Sequence, residues 1–403
     1  MQLNYAFYKK FVHFTLLICA LCGGCFFLTG SHIPKYVVFV LCLLAMTGAF
    51  LTKEKLDLNF YIKSYRDFFI PWLPWLFSVI VLVLFFNGLP ESSEFFNAFL
   101  IMFFVFGALF SHKFSRSQVM TYLAAALFLV SIAVVIQILT IGISPGGSVI
   151  GTNKNKVLGI SSALTICCLA SLLFEGNKYS RNCKLLIVAA IIASMSAIIM
   201  AEVRTAILPF LALIPFVCIF KRKDIKAIVI VIAAAVVLLT LSFLTGRMQQ
   251  GITDLQQYEA GVTITSWGLR LEMWKLAIEA FWDAPFFGWG KEPYDAMAAS
   301  GHVMNIPDFK FYHFHNDFFN ALTAGGLFEV ACWLLTIILM ARKSWKDPAA
   351  LCLLLGVLSA GLTERYWFHR ITLFAFVTLW TLLYISNSHF WSSSTTPKKN
   401  SEN

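Results

Sequence analysis

The amino-acid sequence is cut into about twelve apolar runs joined by short polar stretches, with one long polar interval near its C-terminal third. The runs fall at 11–29, 36–51, 68–86, 95–110, 119–141, 157–174, 185–203, 206–220, 226–245, 317–341, 350–363 and 371–386. Roughly 20 mostly apolar residues cover the ~30 Å hydrocarbon layer as a helix rising ~1.5 Å per residue. The recurrence therefore predicts an all-α polytopic membrane protein of about 12 transmembrane helices. Composition closes off the soluble alternative: 59% of the 403 residues are hydrophobic and 13% charged, with 40 Phe and 11 Trp, far from the balance of a soluble domain. The first run ends in "FFLTGSHIPK" without a small-residue cleavage pattern, so it reads as a retained helix.

Four divisions follow. Residues 1–245 carry helices 1–9, 246–316 form one large loop, 317–386 carry helices 10–12, and the Ser/Thr-rich end, 387–403, reads as a disordered cytoplasmic tail. Ten cysteines do not make a disulfide framework, because nine lie inside apolar runs and only Cys183 falls in a predicted loop. Buried thiols pack as small hydrophobes, and "CALCGGC" at 19–25 has no loop Cys or His beside it to complete a metal site.

The net charge of +10 does not imply nucleic acid. With Lys9 and Lys10 taken as cytoplasmic, 20 of the 31 basic residues fall in alternate loops, and both termini are expected in the cytoplasm. Orientation does not require the remaining eleven: Lys35, Lys154, Lys156, Arg204, Arg247, Arg270, Lys275, Lys291, Lys310, Arg365 and Arg370. Lys154 and Lys156 sit in the Gly-rich "SPGGSVIGTNKNK", and Arg204 in the near-seamless junction "MAEVRTAILPF". A guanidinium beside hydrocarbon costs several kcal/mol without a partner, which makes Arg204 a functional candidate. A pair with Glu202, or snorkelling to the interface, is the structural alternative.

Within 246–316, Leu269, Met273, Trp274, Ala277, Ile278, Phe281 and Trp282 recur at helical spacing, predicting an amphipathic interfacial helix opened by Arg270 and Glu272 and closed by "DAPFFGWG". Arg270 near a helix start runs against the macrodipole, which favours ligand contact over helix stabilisation. At "YHFHND", His313 and His315 share a face only if the segment is extended. His302, Asp308 or Asp317 would have to complete a metal set there, and no recognised ligand spacing does so; no metal is expected. Histidines bonded to loop carbonyls and a neutral imidazole acting as general base both remain open. Glu364, Arg365, His369 and Arg370 form a second outward group, read either as surface ion pairs or as a binding surface. Several cations, a candidate base and a membrane edge fit an anionic, lipid-linked substrate.

The order of these elements resembles the O-antigen ligase and polymerase superfamily of Gram-negative inner membranes. It shows an Arg at the outer end of a span (Arg204), one large loop with Arg270 and Trp274, then Pro285, Gly288 and Gly290, then His315 and Asn316 opening the next helix, followed by Gly325 or Gly326. The "H.HN" form and the single long loop are similar to the lipopolysaccharide O-antigen ligases in particular. The resemblance implies a GT-C-like membrane fold with a periplasmic loop. It also implies metal-independent, inverting transfer of a glycan from undecaprenyl pyrophosphate to the lipid A core oligosaccharide, among membrane lipids and without a cofactor. Carried over by position, His315 is the base and Arg204 and Arg270 hold the pyrophosphate. Lys154 and Lys156 clamp donor or acceptor phosphates, and His313, Asn316 and Asp317 support, Asp317 by orienting an imidazole and Asn316 alternatively as a helix cap. A polymerase of the superfamily would carry a second substantial outer loop, a related oligosaccharyltransferase more soluble mass, and a flippase or other transporter internal repeats; none is evident in this chain.

Overall fold

The computed structural model describes residues 5–24, 33–51, 58–86, 88–90, 92–110, 114–142, 148–149, 152–304, 306 and 309–386. Lys53, Lys55, Lys113, Lys398, Lys399, Cys25, Asp308 and the 387–403 tail lie outside the described residues. The described chain is almost entirely helical: α1 (Tyr5–Gly24), α2 (Ile33–Leu51), α3 (Leu58–Phe69), α4 (Leu73–Phe85), α5 (Ser92–Phe110), α6 (Arg116–Ile141), α7 (Lys154–Glu175) and α8 (Arg181–Met200). Then come α9 (Leu208–Phe220), α10 (Ile225–Leu244), α11 (Arg247–Glu259), α12 (Ser266–Phe281), α13 (Pro293–Ala299), α14 (Asp317–Lys343), α15 (Pro348–Ala360) and α16 (Arg370–Ile385). The strands Ser148–Val149 and Thr152–Asn153 form a two-residue hairpin ahead of α7.

Among the described residues six helical segments are long and apolar enough to cross a membrane: 62–85, α6, 154–178, α8, α10 and α14. Shorter apolar helices occupy five of the six other runs, including Arg204–Phe220, Pro348–Ala360 and Arg370–Ile385. α10 shows the inside-out logic of lipid exposure. Its inward stripe is Ala227, Val231, Ala235 and Leu238, while Val229, Ile230, Val236 and Val237 are exposed and equally apolar. Such a surface is stable against hydrocarbon and costly against water.

α7 lies at the centre, buried along most of its length and packed on α8, α9 and α15, while α6 packs on α8 and α16 on α5. Cys183, expected in a loop, is instead buried in the first turn of α8, its N–H held 3.3 Å from the Ser180 hydroxyl that caps the helix.

Two departures from a plain bundle position the site. Residues 246–316 fold into three helices with a small core of their own, in which Met273, Leu276, Ala277, Ala280 and Met297 meet Phe311 and Phe314. Within α12, Trp274 faces inward, stacked on Phe319 with its Nε1 donating to the Phe314 carbonyl at 2.7 Å, rather than lying along an outer face. α12 also begins at Ser266, with Thr265 as its cap, so Arg270 lies in the second turn and the macrodipole argument about it weakens.

The second departure is a break in α14 at Gly326, whose φ of 63° and ψ of −158° leave the helical region. A break inside an apolar helix frees carbonyls and amides that lipid cannot satisfy. Here the loop between α12 and α13 supplies four partners. Trp289 N–H and Gly290 N–H donate to the carbonyls of Thr323 and Ala324 at 2.7 and 3.0 Å, and Leu327 N–H and Phe328 N–H donate to those of Pro285 and Phe286 at 2.8 and 3.1 Å. The two backbones touch: a Cβ on Gly288 would lie 2.7 Å from Gly325 N, and one on Gly326 would lie 2.5 Å from the Phe286 carbonyl carbon. The Pro285–Gly288–Gly290 and Gly325–Gly326 motifs are thus two halves of one splice that seats the loop against the helix that follows His315.

Candidate active site

His315 is the residue immediately before the cap of α14. Asn316 accepts from the N–H groups of Phe318 and Phe319 at 2.8 and 3.2 Å, the arrangement expected of an N-cap, and its amide donates to the Leu362 carbonyl at 2.8 Å. Phe314 is held from the other side, its N–H on Asn320 Oδ1 at 3.1 Å and its carbonyl on Trp274. Between these clamps His315 takes φ 49°, left-handed backbone that a non-glycine residue adopts at a cost of about 1 kcal/mol or more. Strain of this kind persists only where neighbours enforce it, and here it aims a side chain.

The imidazole is aimed at Glu364. His315 Nδ1 lies 3.2 Å from both Glu364 carboxylate oxygens, and His313 Nε2 lies 3.3 Å from Oε1. Glu364 is 1% exposed. Burial alone would push its carboxyl up, but the His313 and His315 imidazoles beside it hold it well below the usual carboxylate range. Burial pushes His313 down to about 4, so that ring is neutral near pH 7. An ionised Glu364 accepts a hydrogen bond from the Nδ1–H of His315, which leaves the Nε2 lone pair on a partly exposed ring. Nε2 makes no hydrogen bond to the described residues.

Asp317 does something else. Its carboxylate accepts from the backbone N–H groups of Tyr366 and Trp367 at 2.9 Å, and its own N–H donates to the Gly361 carbonyl at 2.8 Å. It therefore organises the 361–369 turn that presents Glu364, and the carboxylate that orients the imidazole is Glu364 rather than Asp317. In the same turn burial holds His369 well below the ordinary histidine range, with Lys156 and Arg365 adding to the effect.

Beside the dyad a cavity of about 300 Å³ opens between α11, α12, the start of α9 and this turn. Its polar end is lined by Arg204, Arg247 and Arg270 with Thr363, and its apolar wall by Leu208, Leu211, Leu239, Ile252 and Leu255. Arg270 donates to Ser266 Oγ at 3.1 Å and lies over Trp267, while its buried Nε makes no hydrogen bond among the described residues. It is close enough to Glu364 to feel that charge, which ties cavity and dyad together. Arg204 does not pair with Glu202: its partner is Asp254 at 3.6 Å, and Glu202 pairs with Arg247 at 3.4 Å.

The two lysines diverge. Lys154 is buried, and its ammonium donates to the Ala201 carbonyl at 3.1 Å, capping the C-terminus of α8. Lys156 lies on the His369 side, away from the cavity lining. Between them Asn155 does line the cavity, and its carbonyl accepts from Tyr366 OH.

The structure thus gathers His315, His313, Arg204 and Arg270 from the sequence-derived candidates and adds Glu364 and Arg247. Arg247 was visible only as one of the outward cations, and Glu364 only as a member of the 364–370 group. His313, His315 and Glu364 are the one grouping among the described residues able to hold a metal ion, their ligand atoms lying within 4.8 Å of one another. Arg270 and Arg365 place positive charge beside that set, and a cation there would compete with the Nδ1 hydrogen bond.

Fold and site define an all-helical chain with helices fit to cross a membrane, which collects arginines and an imidazole–carboxylate pair at one end. Residues 188–334 match the family model described as O-antigen ligase. The O-antigen ligase of Escherichia coli (strain K12) is 25% identical over 196 residues, covering 44% of this chain, and the match spans about half, 47%, of that relative. Both findings support the O-antigen ligase superfamily as the source of the resemblance. The family match takes in Arg204, Arg247, Arg270, the loop-to-helix splice and His315, and stops short of Glu364.

Proposed function

We propose that this chain is an O-antigen ligase. It takes a glycan carried on undecaprenyl pyrophosphate and joins it to a sugar hydroxyl of the lipid A core oligosaccharide, at the periplasmic face of a Gram-negative inner membrane. In this reading the chain crosses the membrane about twelve times with both termini in the cytoplasm, and 246–316 is the periplasmic loop. The observation that supports the reading most is the adjacency of one cavity, cationic at one end and apolar along its wall, to the His315–Glu364 pair.

The chemistry follows from that adjacency. The acceptor O–H gives its proton to His315 Nε2 as its oxygen bonds to the anomeric carbon. The bond from that carbon to the diphosphate oxygen breaks, and its electron pair leaves with the diphosphate. Arg204, Arg247 and Arg270 stabilise the charge that grows there, the role a metal ion plays in other diphosphate chemistry. Glu364 keeps the reactive tautomer and steadies the imidazolium, as carboxylates behind catalytic histidines do. In-line attack inverts the anomeric centre. His313 and Asn316 hold this arrangement, Lys154 supports it by capping α8, and Lys156 sets the charge around His369.

The test is lipopolysaccharide banding in a ligase-deficient cell of matched core type, complemented with wild type, His315→Ala or Arg270→Ala at equal membrane levels. The reading predicts an O-antigen ladder on lipid A core with wild type and none with His315→Ala. No ladder with wild type would remove the ligase assignment in favour of a polymerase of the same superfamily. A ladder with His315→Ala would remove the base assignment.

A further inference from the structure

The Arg204–Asp254 ion pair of the arginine cavity is poorly made. Arg204 Nη2 stands 3.6 Å from Asp254 Oδ2, and both Arg204 Nη1 and Asp254 Oδ2 are buried without a hydrogen bond among the described residues. Asp254 is 8% exposed, so its carboxylate recovers little of its lost hydration from solvent. The fit of the guanidinium is nevertheless built in, because one turn earlier on α11 a Cβ at Gly251 would lie 2.5 Å from Arg204 Nη1. The second pair, Glu202 with Arg247, is nearer the surface and better supported, since Arg247 also donates to the Glu202 carbonyl at 3.2 Å and to Gln250 Oε1. Glu202 Oε2 stands 3.4 Å from Arg247 Nε, and Glu202 itself occupies the left-handed position that ends α8, with φ 54°. A pair serving stability alone would be short and forked.

We propose that Asp254, with Glu202 as a weaker second, is a placeholder for the diphosphate. This rests on the reading of the cavity as the diphosphate site. When no diphosphate is bound, Asp254 balances the buried Arg204 charge without meeting its donor geometry. An incoming diphosphate, with more oxygens and more charge, takes the guanidinium over. After transfer the carboxylate reclaims it and helps to expel the lipid diphosphate. Asp254 is thus a positioning residue acting through Arg204, and it sets how tightly the leaving group is held rather than whether the bond breaks.

The experiment uses the full chain in lipid nanodiscs, with inorganic pyrophosphate as probe and calorimetric binding as the readout. Removing the competing charge while keeping the shape, Asp254→Asn, is expected to tighten pyrophosphate about three- to tenfold, with inhibition of transfer by pyrophosphate strengthened in parallel. Asp254→Glu should behave like wild type. Glu202→Gln, at a more exposed position, should tighten binding by about twofold and tests the same idea if Asp254→Asn does not fold. Unchanged or weaker binding in the charge-removing variants, while Arg204→Ala abolishes wild-type binding, overturns the placeholder and spares the cavity assignment. Absence of wild-type binding overturns both.

Discussion

Three partly buried arginines, one at one end of the helical bundle and two at the other, make opposite use of the same side chain. Arg116, opening α6, uses all three of its nitrogens as donors. Nε meets Glu175 Oε2 at 3.1 Å, Nη1 donates to the Leu383 carbonyl and Ser386 Oγ at 3.1 and 2.9 Å, and Nη2 donates to Asp347. Tyr179 adds a hydrogen bond to Glu175 at 3.0 Å, so four helix ends are tied at one point. Arg204 and Arg270, at the other end, each keep a buried nitrogen without a hydrogen bond among the described residues and line a cavity. A network with every donor matched specifies structure. Buried charge left undermatched costs stability, and a chain keeps it where a ligand completes the set.

The contrast can be broken by mutation. The largest effect is expected from His315→Gln, which should slow transfer on the order of 10²–10⁴-fold, the usual contribution of a positioned base, while melting stays near wild type. A matching loss of thermal stability would instead assign His315 to the fold. At the other end, Arg116→Gln strands Glu175 and Asp347 in the interior and should cost about 3–5 kcal/mol, read as a lower unfolding midpoint in detergent. Transfer per folded molecule should survive it. Gly326→Ala should cost about 1–3 kcal/mol, because the added Cβ meets the Phe286 carbonyl and the left-handed backbone is strained. If that variant melts like wild type, the splice between loop and α14 is not as tight as the contacts imply.

The smallest effect is a pH dependence. His313 sits at about 4 in the folded chain against an ordinary 6.5. Between those values the unfolded chain binds the extra proton, so stability rises with pH across that window and is lost as pH falls from 6.5 towards 4. His369, also held well below its ordinary range, acts in the same direction. His313→Gln should flatten the melting profile over this window, and an unchanged profile would place the acid sensitivity elsewhere.

What was legible in the sequence follows from how local each signal is. The apolar runs announced helices because hydropathy over about 20 residues is a property of the segment alone. Arg204, Arg270 and His315 were legible because a charge at an apolar boundary has few structural excuses. Glu364 was seen but left between two roles, since nothing in the chain says that residue 364 meets residue 315. Asp317 was misassigned for the same reason. It follows the histidine by two positions, yet the helix cap turns its carboxylate to the backbone of 366–367. The break at Gly326 was hidden inside an unbroken apolar run, where hydropathy is blind to backbone angles. Arg247 resembled any arginine at a membrane edge until α11 folded over the cavity.

The most direct test of this division is transfer and thermal unfolding measured together on purified Arg270→Gln and Arg116→Gln. The account predicts that Arg270→Gln melts at or above the wild-type temperature but transfers about 10²–10³-fold more slowly, as for loss of one transition-state donor, with Arg116→Gln showing the reverse. An Arg270→Gln protein that melts well below wild type and transfers normally once folded would contradict it.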